Sequence, residues 1–225
     1  MRLTRRSLLA ATPALAVALT ACGSKKDTDS APASATATEA NGETANIEDA
    51  KGEAADAQPV GPGTYTAKHE RGTVYTLTFP AELPDDAKGY FSKVFTKGQT
   101  LSAVKVETDN TAATKEAGMA QVTLVDAEGT EVRLNWLLDV IGETLPVMND
   151  DFVYSTFDGD DLSEEEYMAL DAEANDLLEK YSQTGARPHA KGTEYFVTYE
   201  PLPEKIVWAG GDDGIVQVPF DLGNE

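Results

Sequence analysis

Apolar and polar side chains alternate in short runs along the later part of the chain, from about residue 64 to the end. In residues 73–79 the side chains of Tyr75, Leu77 and Phe79 fall on one face of an extended segment. A period of two is the pattern of a half-buried β-strand. The same pattern predicts six more strands, at residues 101–108, 119–125, 130–136, 193–199, 205–209 and 215–220.

Two of these strands are predicted to form a β-hairpin. Between 119–125 and 130–136 lies the turn-forming sequence Asp126-Ala-Glu-Gly129, which is of the kind that joins antiparallel neighbours. Val132, Leu134 and Trp136 then fall on one face of the returning strand. A second turn-rich run, residues 210–214, is predicted to separate the last two strands.

Helical periodicity appears in the longer connections. Residues 85–95 form a short amphipathic pattern, for which Gly98 is placed as the C-terminal cap. The pattern at 163–183 predicts a longer helix that opens with a capping box, Ser163 with Glu166, and ends at Gly185. Residues 136–142 are apolar on too many sides for an exposed strand, so we expect a buried crossover or one helical turn there.

These elements together predict a mainly β fold. About eight short strands with one or two helices inserted in the connections are typical of an antiparallel two-sheet, immunoglobulin-like sandwich. All seventeen aromatic residues lie at or after Tyr65. We therefore expect one folded domain, residues 64–225, with a core of its own.

Composition separates this domain from what precedes it. Residues 22–63 contain no aromatic residue and are rich in Ala, Thr, Ser, Glu, Asp and Gly. Such a segment cannot bury enough apolar area to offset its conformational entropy, so the sequence predicts a disordered tether.

The N-terminus carries an export signal. Arg2, Arg5 and Arg6 precede an uncharged apolar run, and small residues then lead to Cys22, the chain's only cysteine. Leu19-Thr20-Ala21-Cys22 resembles the lipobox of bacterial prolipoproteins. That resemblance implies cleavage after residue 21, so that 1–21 is the signal peptide, and transfer of a diacylglycerol to the Cys22 thiol. The protein is then expected to be anchored by lipid to the cell membrane, on its extracytoplasmic face.

The export route has two interpretations. Thr4-Arg5-Arg6-Ser7-Leu8-Leu9 is similar to a twin-arginine motif, and the two arginines are equally suited to ordinary secretion. In either case the mature chain is extracytoplasmic, and with one cysteine it forms no internal disulfide.

A wider resemblance covers the whole chain. The run 101–142, with Val106-Glu-Thr-Asp-Asn110 and Val125-Asp-Ala-Glu-Gly129, is similar to bacterial lipoproteins, especially actinobacterial ones, that carry an immunoglobulin-like (telokin-like) domain. The resemblance implies a fold and a location. It implies no catalytic residue, because the function of most of those lipoproteins is unknown.

Charge limits the choice of partners. The formal net charge is −21, and loss of residues 1–21, which include three arginines and no acid, makes it −24. Residues 148–179 contain twelve acids and no Lys or Arg. The negative electrostatic field of such a chain repels the phosphate backbone of nucleic acids, so we expect no nucleic-acid binding.

The acidic loop at residues 149–161 was considered as a calcium site. Asn149 and five aspartates place several oxygen ligands close together in the sequence. The spacing of an EF-hand fails, because Leu162 stands at the fifth position counted from Asp158. We favour a solvated acidic loop with helix-capping acids.

No catalytic motif appears. His69 and His189 lack a neighbouring Cys or His, which argues against zinc, and no nucleophile elbow or phosphate loop is present. Carboxylate pairs such as Asp150 with Asp160 are the residues considered for glycosidase chemistry. Trp136 and Trp208 lie in apolar strand patterns and are predicted to be core.

The sequence therefore predicts a lipid-anchored, non-enzymatic envelope protein without a cofactor. Its β domain is expected to bind a protein or cell-wall partner, and the membrane is reached through the lipid on Cys22. The alternative is an envelope hydrolase that uses a pair of carboxylates. A small-solute receptor is a third, weaker interpretation, because about 160 residues leave no room for two closing lobes.

Overall fold

The structure is a computed structural model that describes residues 58–149, 152–182, 185–214 and 216–223. The signal peptide, Cys22 and nearly all of the tether lie outside the described residues. The chain divides into two units, Met1–Asn41 and Gly42–Glu225, and every described residue belongs to the second.

Strands and helices follow one another in the order that the sequence pattern indicates, with one added strand at the start of the domain and three short added strands between residues 147 and 162. The strands are β1 (Gly63–Lys68), β2 (Val74–Ala81), β3 (Ser102–Asp109), β4 (Gln121–Val125), β5 (Glu131–Trp136), β6 (Val147–Met148), β7 (Tyr154–Ser155), β8 (Asp161–Leu162), β9 (Lys191–Thr198), β10 (Trp208–Asp212) and β11 (Gln217–Pro219). The helices are α1 (Asp85–Val94), α2 (Leu137–Glu143) and α3 (Glu164–Tyr181).

Eight strands form one antiparallel sheet in the order β1-β2-β3-β9-β5-β4-β10-β11. A bridge between Thr66 and Asp221 brings the two outer strands together, so the sheet is nearly closed. The mainly β, antiparallel prediction is confirmed. A two-sheet immunoglobulin-like sandwich is not confirmed, and the described part of the chain has three helices where one or two were expected.

The inner face of this sheet holds the larger core. Tyr75, Leu77 and Phe79 are buried on one face of β2, as their alternation predicts, and Val104 and Val106 are buried on β3. The β4–β5 hairpin is confirmed as well. Its turn is closed by the Asp126 carboxylate, which accepts hydrogen bonds from the backbone N–H groups of residues 128 and 130.

A second core lies between the outer face of the sheet and the helices. Strand β9 joins the two cores, because Phe196 is fully buried on its inner face and Val197 is fully buried on its outer face. Against Val197 pack apolar residues of all three helices, among them Val94, Ile141 and Ala174.

Helix boundaries are set by their caps. The capping box of α3 is present, with Ser163 accepting from the Glu166 N–H and Glu166 accepting from the Ser163 N–H. That helix ends at Tyr181, before the predicted Gly185. Helix α1 ends at Val94, so the prediction that Gly98 caps it is wrong; the cap is Phe95, whose N–H bonds to the carbonyl of Phe91.

The prediction that residues 210–214 form a turn is partly wrong, because Gly210 and Gly211 belong to β10. A Cβ on Gly210 would lie 2.3 Å from the Trp208 ring, and one on Gly211 would lie 2.0 Å from Met119 Sδ. Glycine is required here by close packing within a strand. Only Asp213 and Gly214 of the predicted turn remain outside the strand in the described residues.

We predict that Phe196→Ala lowers the free energy of unfolding by about 3–5 kcal/mol, because it leaves a cavity beneath the central strand. Denaturant unfolding of the purified chain measures this. Met168→Ala is the control, since that side chain is 59% exposed on α3 and its loss should change stability by less than about 0.5 kcal/mol. Equal losses in the two variants would contradict the assignment of β9 as the core strand.

Candidate functional site

A cavity of about 550 Å³ opens at one end of the nearly closed sheet. Its walls come from the β1–β2 turn, the start of β2, the loop before β4, β9 and the β10–β11 turn. Ligand pockets commonly have volumes of about 300–1,000 Å³ and a few polar groups among apolar walls. The residues that line the cavity include Tyr75, Trp136, His69, Asp213 and Glu194.

Asn110 holds the loops around this cavity in place. It is fully buried, and its Oδ1 accepts a hydrogen bond of 2.7 Å from the Thr73 hydroxyl. Its amide nitrogen lies 2.6 Å from the carbonyl oxygen of Lys115 and 3.0 Å from that of Ala186. One side chain therefore fixes β2, the loop before β4 and the loop before β9 relative to one another.

Glu194 is the buried acid of the cavity, with 3% of its surface exposed. It lies on the inner face of β9, two residues before Phe196. Its Oε2 accepts a hydrogen bond of 3.1 Å from the Met119 N–H, whereas its Oε1 has no hydrogen-bond partner within the described residues. Burial raises the pKa of Glu194 to about 7, and the backbone N–H groups of Met119 and Gly185 oppose this rise.

Two glycines allow the backbone to approach this carboxylate. A Cβ on Gly118 would lie 2.9 Å from the Gly185 Cα and 3.3 Å from Glu194 Oε1. Gly185 also has a φ of +69°, which disfavours other residues. The wall beside Oε1 is thus made of backbone, and this oxygen is itself buried.

His69 and Asp213 form a second polar pair in the wall. Nε2 of His69 lies 3.4 Å from Oδ2 of Asp213, and both side chains are largely buried. Nδ1 of His69 accepts a hydrogen bond from the Arg71 N–H, so in the neutral imidazole the proton is on Nε2 and faces Asp213. The other oxygen of Asp213 accepts a 2.9 Å hydrogen bond from the Val216 N–H.

Aromatic side chains complete the cavity. Burial, followed by the charges of Asp213 and Glu194, raises the pKa of Tyr75 to about 12, so its phenol is neutral at physiological pH. Trp136 packs against the core and lines the cavity, and it is half-buried, as is Trp208. The prediction that both tryptophans are core residues therefore holds only in part.

Most residues singled out in the sequence lie elsewhere. Cys22 and Asp150 are outside the described residues. Asp160 is in the β7–β8 turn, where its N–H donates to the Thr156 hydroxyl. His189 contacts the Thr111 carbonyl at 3.1 Å. Of the predicted chemistry, only His69 and Trp136 line the cavity.

The acidic loop considered for calcium is tied to the body of the domain by Asp158. Its carboxylate accepts a 2.8 Å hydrogen bond from the Lys97 N–H, and its carbonyl oxygen accepts one from the Lys97 ammonium. Across the described ranges, no group of three or more His, Cys, Asp or Glu side chains is arranged to hold a metal ion.

Sequence reasoning missed Glu194 and the His69–Asp213 pair. A signal for Glu194 was present, because it stands two positions before Phe196 in an alternating strand and so falls on the apolar face. Nothing in the local sequence predicts that His69 and Asp213 lie close together, because more than half of the chain separates them.

A second candidate region is a group of exposed apolar side chains, which we call the hairpin patch. Of the seven large hydrophobic residues that are exposed in the described chain, five lie within residues 147–157. The patch consists of Val147, Met148, Phe152, Val153, Phe157 and Met168.

The hairpin patch is built on the small three-stranded sheet β6-β7-β8, which sequence reasoning missed. Residues of α3 pack against β7 and β8, with the Tyr154 and Tyr167 rings 4.6 Å apart. The ring of Phe157 contacts that of Phe95 at 5.9 Å, edge to face. The exposed side chains are thereby supported by the helical core.

Phe152 is the most exposed member of the patch and has a φ of +59°. A bulky side chain rarely adopts this region, which costs on the order of 1–3 kcal/mol. Asn149 holds the conformation, because its carbonyl accepts from the Phe152 N–H at 3.0 Å and its side chain accepts from the Val153 N–H at 2.9 Å. The turn therefore keeps an aromatic ring in solvent at a cost in free energy.

In comparisons with known proteins, the chain matches no protein-family model, no curated protein and no solved structure. Among the described residues, no helix is both long and apolar enough to cross a lipid bilayer.

We predict that Glu194 makes stability fall as pH rises. Its pKa in the folded chain is about 7 and its ordinary value is 4.5, so the folded state binds the proton more tightly between these values. The unfolding free energy should decrease from about pH 4.5 to pH 7, by on the order of 3 kcal/mol.

Glu194→Gln should remove this dependence and should be the more stable protein at pH 8, where the wild-type carboxylate is ionised. Denaturant unfolding of both proteins across this pH range measures the effect. Glu128→Gln, at an exposed turn residue, is the matched control and should retain the wild-type slope. Parallel profiles for wild type and Glu194→Gln would contradict the assignment.

Proposed function

We propose that this chain is a lipid-anchored protein of the cell envelope that acts by binding rather than by catalysis. Its β domain binds an envelope or extracellular protein through the hairpin patch, and the lipid on Cys22 keeps the domain at the membrane surface. The observation that carries the proposal is the concentration of exposed apolar side chains in residues 147–157, with Phe152 held out in solvent. Exposed apolar clusters of this kind mark interaction sites.

Charge indicates the kind of partner. The segment that builds the patch is acidic throughout, and its described acids include Asp158, Asp160 and the three glutamates of the first turn of α3. No Lys or Arg lies between residues 148 and 179. An apolar centre with an acidic rim is complementary to a partner surface that is apolar at its centre and basic around it. An anionic membrane surface is repelled by the same rim.

The domain's relationship to immunoglobulin-like lipoproteins is also a proposal. Antiparallel strands and the Ala/Thr/Ser/Glu-rich segment before the domain support it. This relationship does not indicate which surface of the domain binds a partner.

Site-specific crosslinking tests the patch. A photoreactive amino acid at Phe152 should yield a crosslinked partner in intact cells, whereas the same residue at Glu128, in the β4–β5 turn, should not. The purified partner should then bind the Phe152→Asp variant at least about tenfold more weakly, since exposed aromatic residues are frequent binding hot spots.

The dependence of binding on ionic strength distinguishes a basic partner from other partners. Binding should weaken as ionic strength rises, because a basic partner is attracted by the acidic rim and salt screens that attraction. Glu128→Ala is the matched control for affinity and should bind like wild type. A partner that binds Phe152→Asp as tightly as wild type would refute the role of the patch.

Lipid anchoring is tested separately, by substitution of Cys22. Cys22→Ser removes the thiol that accepts the diacylglycerol, so the variant should stay an unlipidated precursor or be released after another cleavage. Each buried methylene adds about 0.8 kcal/mol, which makes two acyl chains a stable anchor. Mass spectrometry of detergent-extracted protein measures the modification. An unmodified Cys22 thiol in the mature wild type would exclude lipid anchoring.

One observation favours the alternative, an envelope hydrolase with two carboxylates. The cavity is lined by Glu194, Asp213 and Asp139, and Glu194 has the raised pKa that a general acid needs. The residues would differ from the pair considered from sequence, because Asp160 lies outside the cavity. Against this alternative, both oxygens of Asp213 face partners already, Nε2 of His69 and the N–H of Val216.

A further inference from the structure

A tryptophan that solvent can reach forms part of the cavity wall. Trp136 is the last residue of β5 and lies opposite Phe196 of β9, so its ring is on the inner side of the sheet. It packs against the inner core, and because it is half-buried, its remaining surface lines the cavity. Tyr75, in contrast, is fully buried. Trp136 is therefore the aromatic surface that the cavity offers to a ligand.

Four exposed charged side chains line the same cavity. Asp139 stands three residues after Trp136, in the first turn of α2, and Arg71 lies in the β1–β2 turn. Lys115 and Glu116 belong to the loop before β4. Within the described part of the chain, these four side chains make no hydrogen bond or ion pair with another residue. Their polar atoms are thus available to a ligand.

The backbone that carries these side chains is held in place. The carbonyl oxygen of Lys115 accepts a 2.6 Å hydrogen bond from the Asn110 amide. In the β1–β2 turn, the Gly72 N–H donates to the His69 carbonyl at 2.9 Å. Asp139 is part of a helix that packs on the sheet. Because the backbone is already ordered, a ligand would pay mainly for ordering the side chains themselves.

The charges at the mouth of the cavity suit an uncharged polar ligand. Two cations and two carboxylates cancel in formal charge, and Asp213, deeper in the wall, lies 3.4 Å from His69. Arginine and lysine only donate hydrogen bonds, whereas ionised carboxylates only accept them. Hydroxyl groups do both, so a ligand rich in hydroxyls can bond to all four side chains.

From this arrangement we propose that the cavity is a binding site for an uncharged carbohydrate. One sugar ring packs its apolar C–H face on Trp136, and its hydroxyls donate to Asp139 and accept from Arg71. Aromatic walls with a few placed polar groups are typical of small-molecule sites of this volume. No residue of the hairpin patch lines the cavity, so the proposal does not depend on the proposed function.

Calorimetric titration of the purified full chain tests the choice of ligand. The probes are cellobiose and N,N′-diacetylchitobiose, which are both uncharged. The controls are sorbitol, which has hydroxyls but no ring face, and the deacetylated disaccharide, which carries two amino groups. At least one of the uncharged disaccharides should bind saturably, and at least about tenfold more tightly than either control. Its affinity should change less than about twofold with ionic strength, because no net charge is screened.

The sugar that binds more tightly identifies the source of the carbohydrate. A preference for N,N′-diacetylchitobiose indicates an acetamido sugar, whereas a preference for cellobiose indicates an unsubstituted hexose. Either preference supports the proposal.

Tryptophan fluorescence locates the sugar, because the chain contains only two tryptophans. Trp208→Phe leaves Trp136 as the emitter, and its emission should still change as the sugar binds. Trp136→Phe leaves Trp208, which does not line the cavity, and its emission should not respond. Trp136→Phe should also weaken binding at least about fivefold, whereas Trp208→Phe should change the affinity less than about twofold.

Asp139→Ala tests the polar contact at an exposed position. It should weaken binding at least about tenfold, since a hydrogen bond to a charged group is lost. Glu128→Ala, at an exposed turn residue outside the cavity, is the matched control and should bind like wild type. Circular dichroism checks that all variants are folded.

The titrations need only the wild type, so they decide the question even where a variant fails to fold. Absence of saturable binding by both uncharged disaccharides would overturn the proposal. Equal or tighter binding of sorbitol or of the deacetylated disaccharide would also overturn it. Unchanged affinity in folded Trp136→Phe and Asp139→Ala would show that the sugar binds elsewhere.

Discussion

The domain depends on the burial of both faces of strand β9. Phe196 on the inner face and Val197 on the outer face are fully buried, one in each of the two cores. The strand pairs with β3 over eight residues and with β5 over two, so it links parts of the chain that are far apart in sequence. The helices pack on the outer face of β9 and on Ala103 of the neighbouring strand β3.

The alternation that buries Phe196 also places Glu194 on the inner face, where the closed sheet ends. A charged carboxylate there is unfavourable, and it is retained beside a backbone N–H, a neutral tyrosine and two glycines that admit close approach. The loops that carry these groups are held by Asn110, which bonds to three separate segments. A buried carboxyl group that is kept at a cost in stability in the wall of a cavity is a feature of binding sites rather than of cores.

Short-range sequence patterns were sufficient to predict the features that depend on residues close together in the chain. The strand at 73–79, the hairpin around Gly129 and the capping box at Ser163 were predictable because period, turn chemistry and capping act within a few residues. The insertion of β9 between β3 and β5 was not, since it pairs residues 82–96 positions apart with β3 and 60–62 positions apart with β5. The same holds for the His69–Asp213 pair. Gly210 and Gly211 were mistaken for a turn because the contacts that require glycine, with Trp208 and Met119, exist only in the folded chain.

The two candidate surfaces rest on different cores, and this makes their roles separable. The hairpin patch is supported from below by Phe95 of the helical core and by Tyr167 of α3, whereas the cavity lies at the end of the inner core. Substitutions at Phe152 and at Glu194 share no contact, and effects of such distant sites usually add. Coupling between the two surfaces would pass through the strands that contribute buried residues to both cores at adjacent positions, which are β3 with Ala103 and Val104 and β9 with Phe196 and Val197.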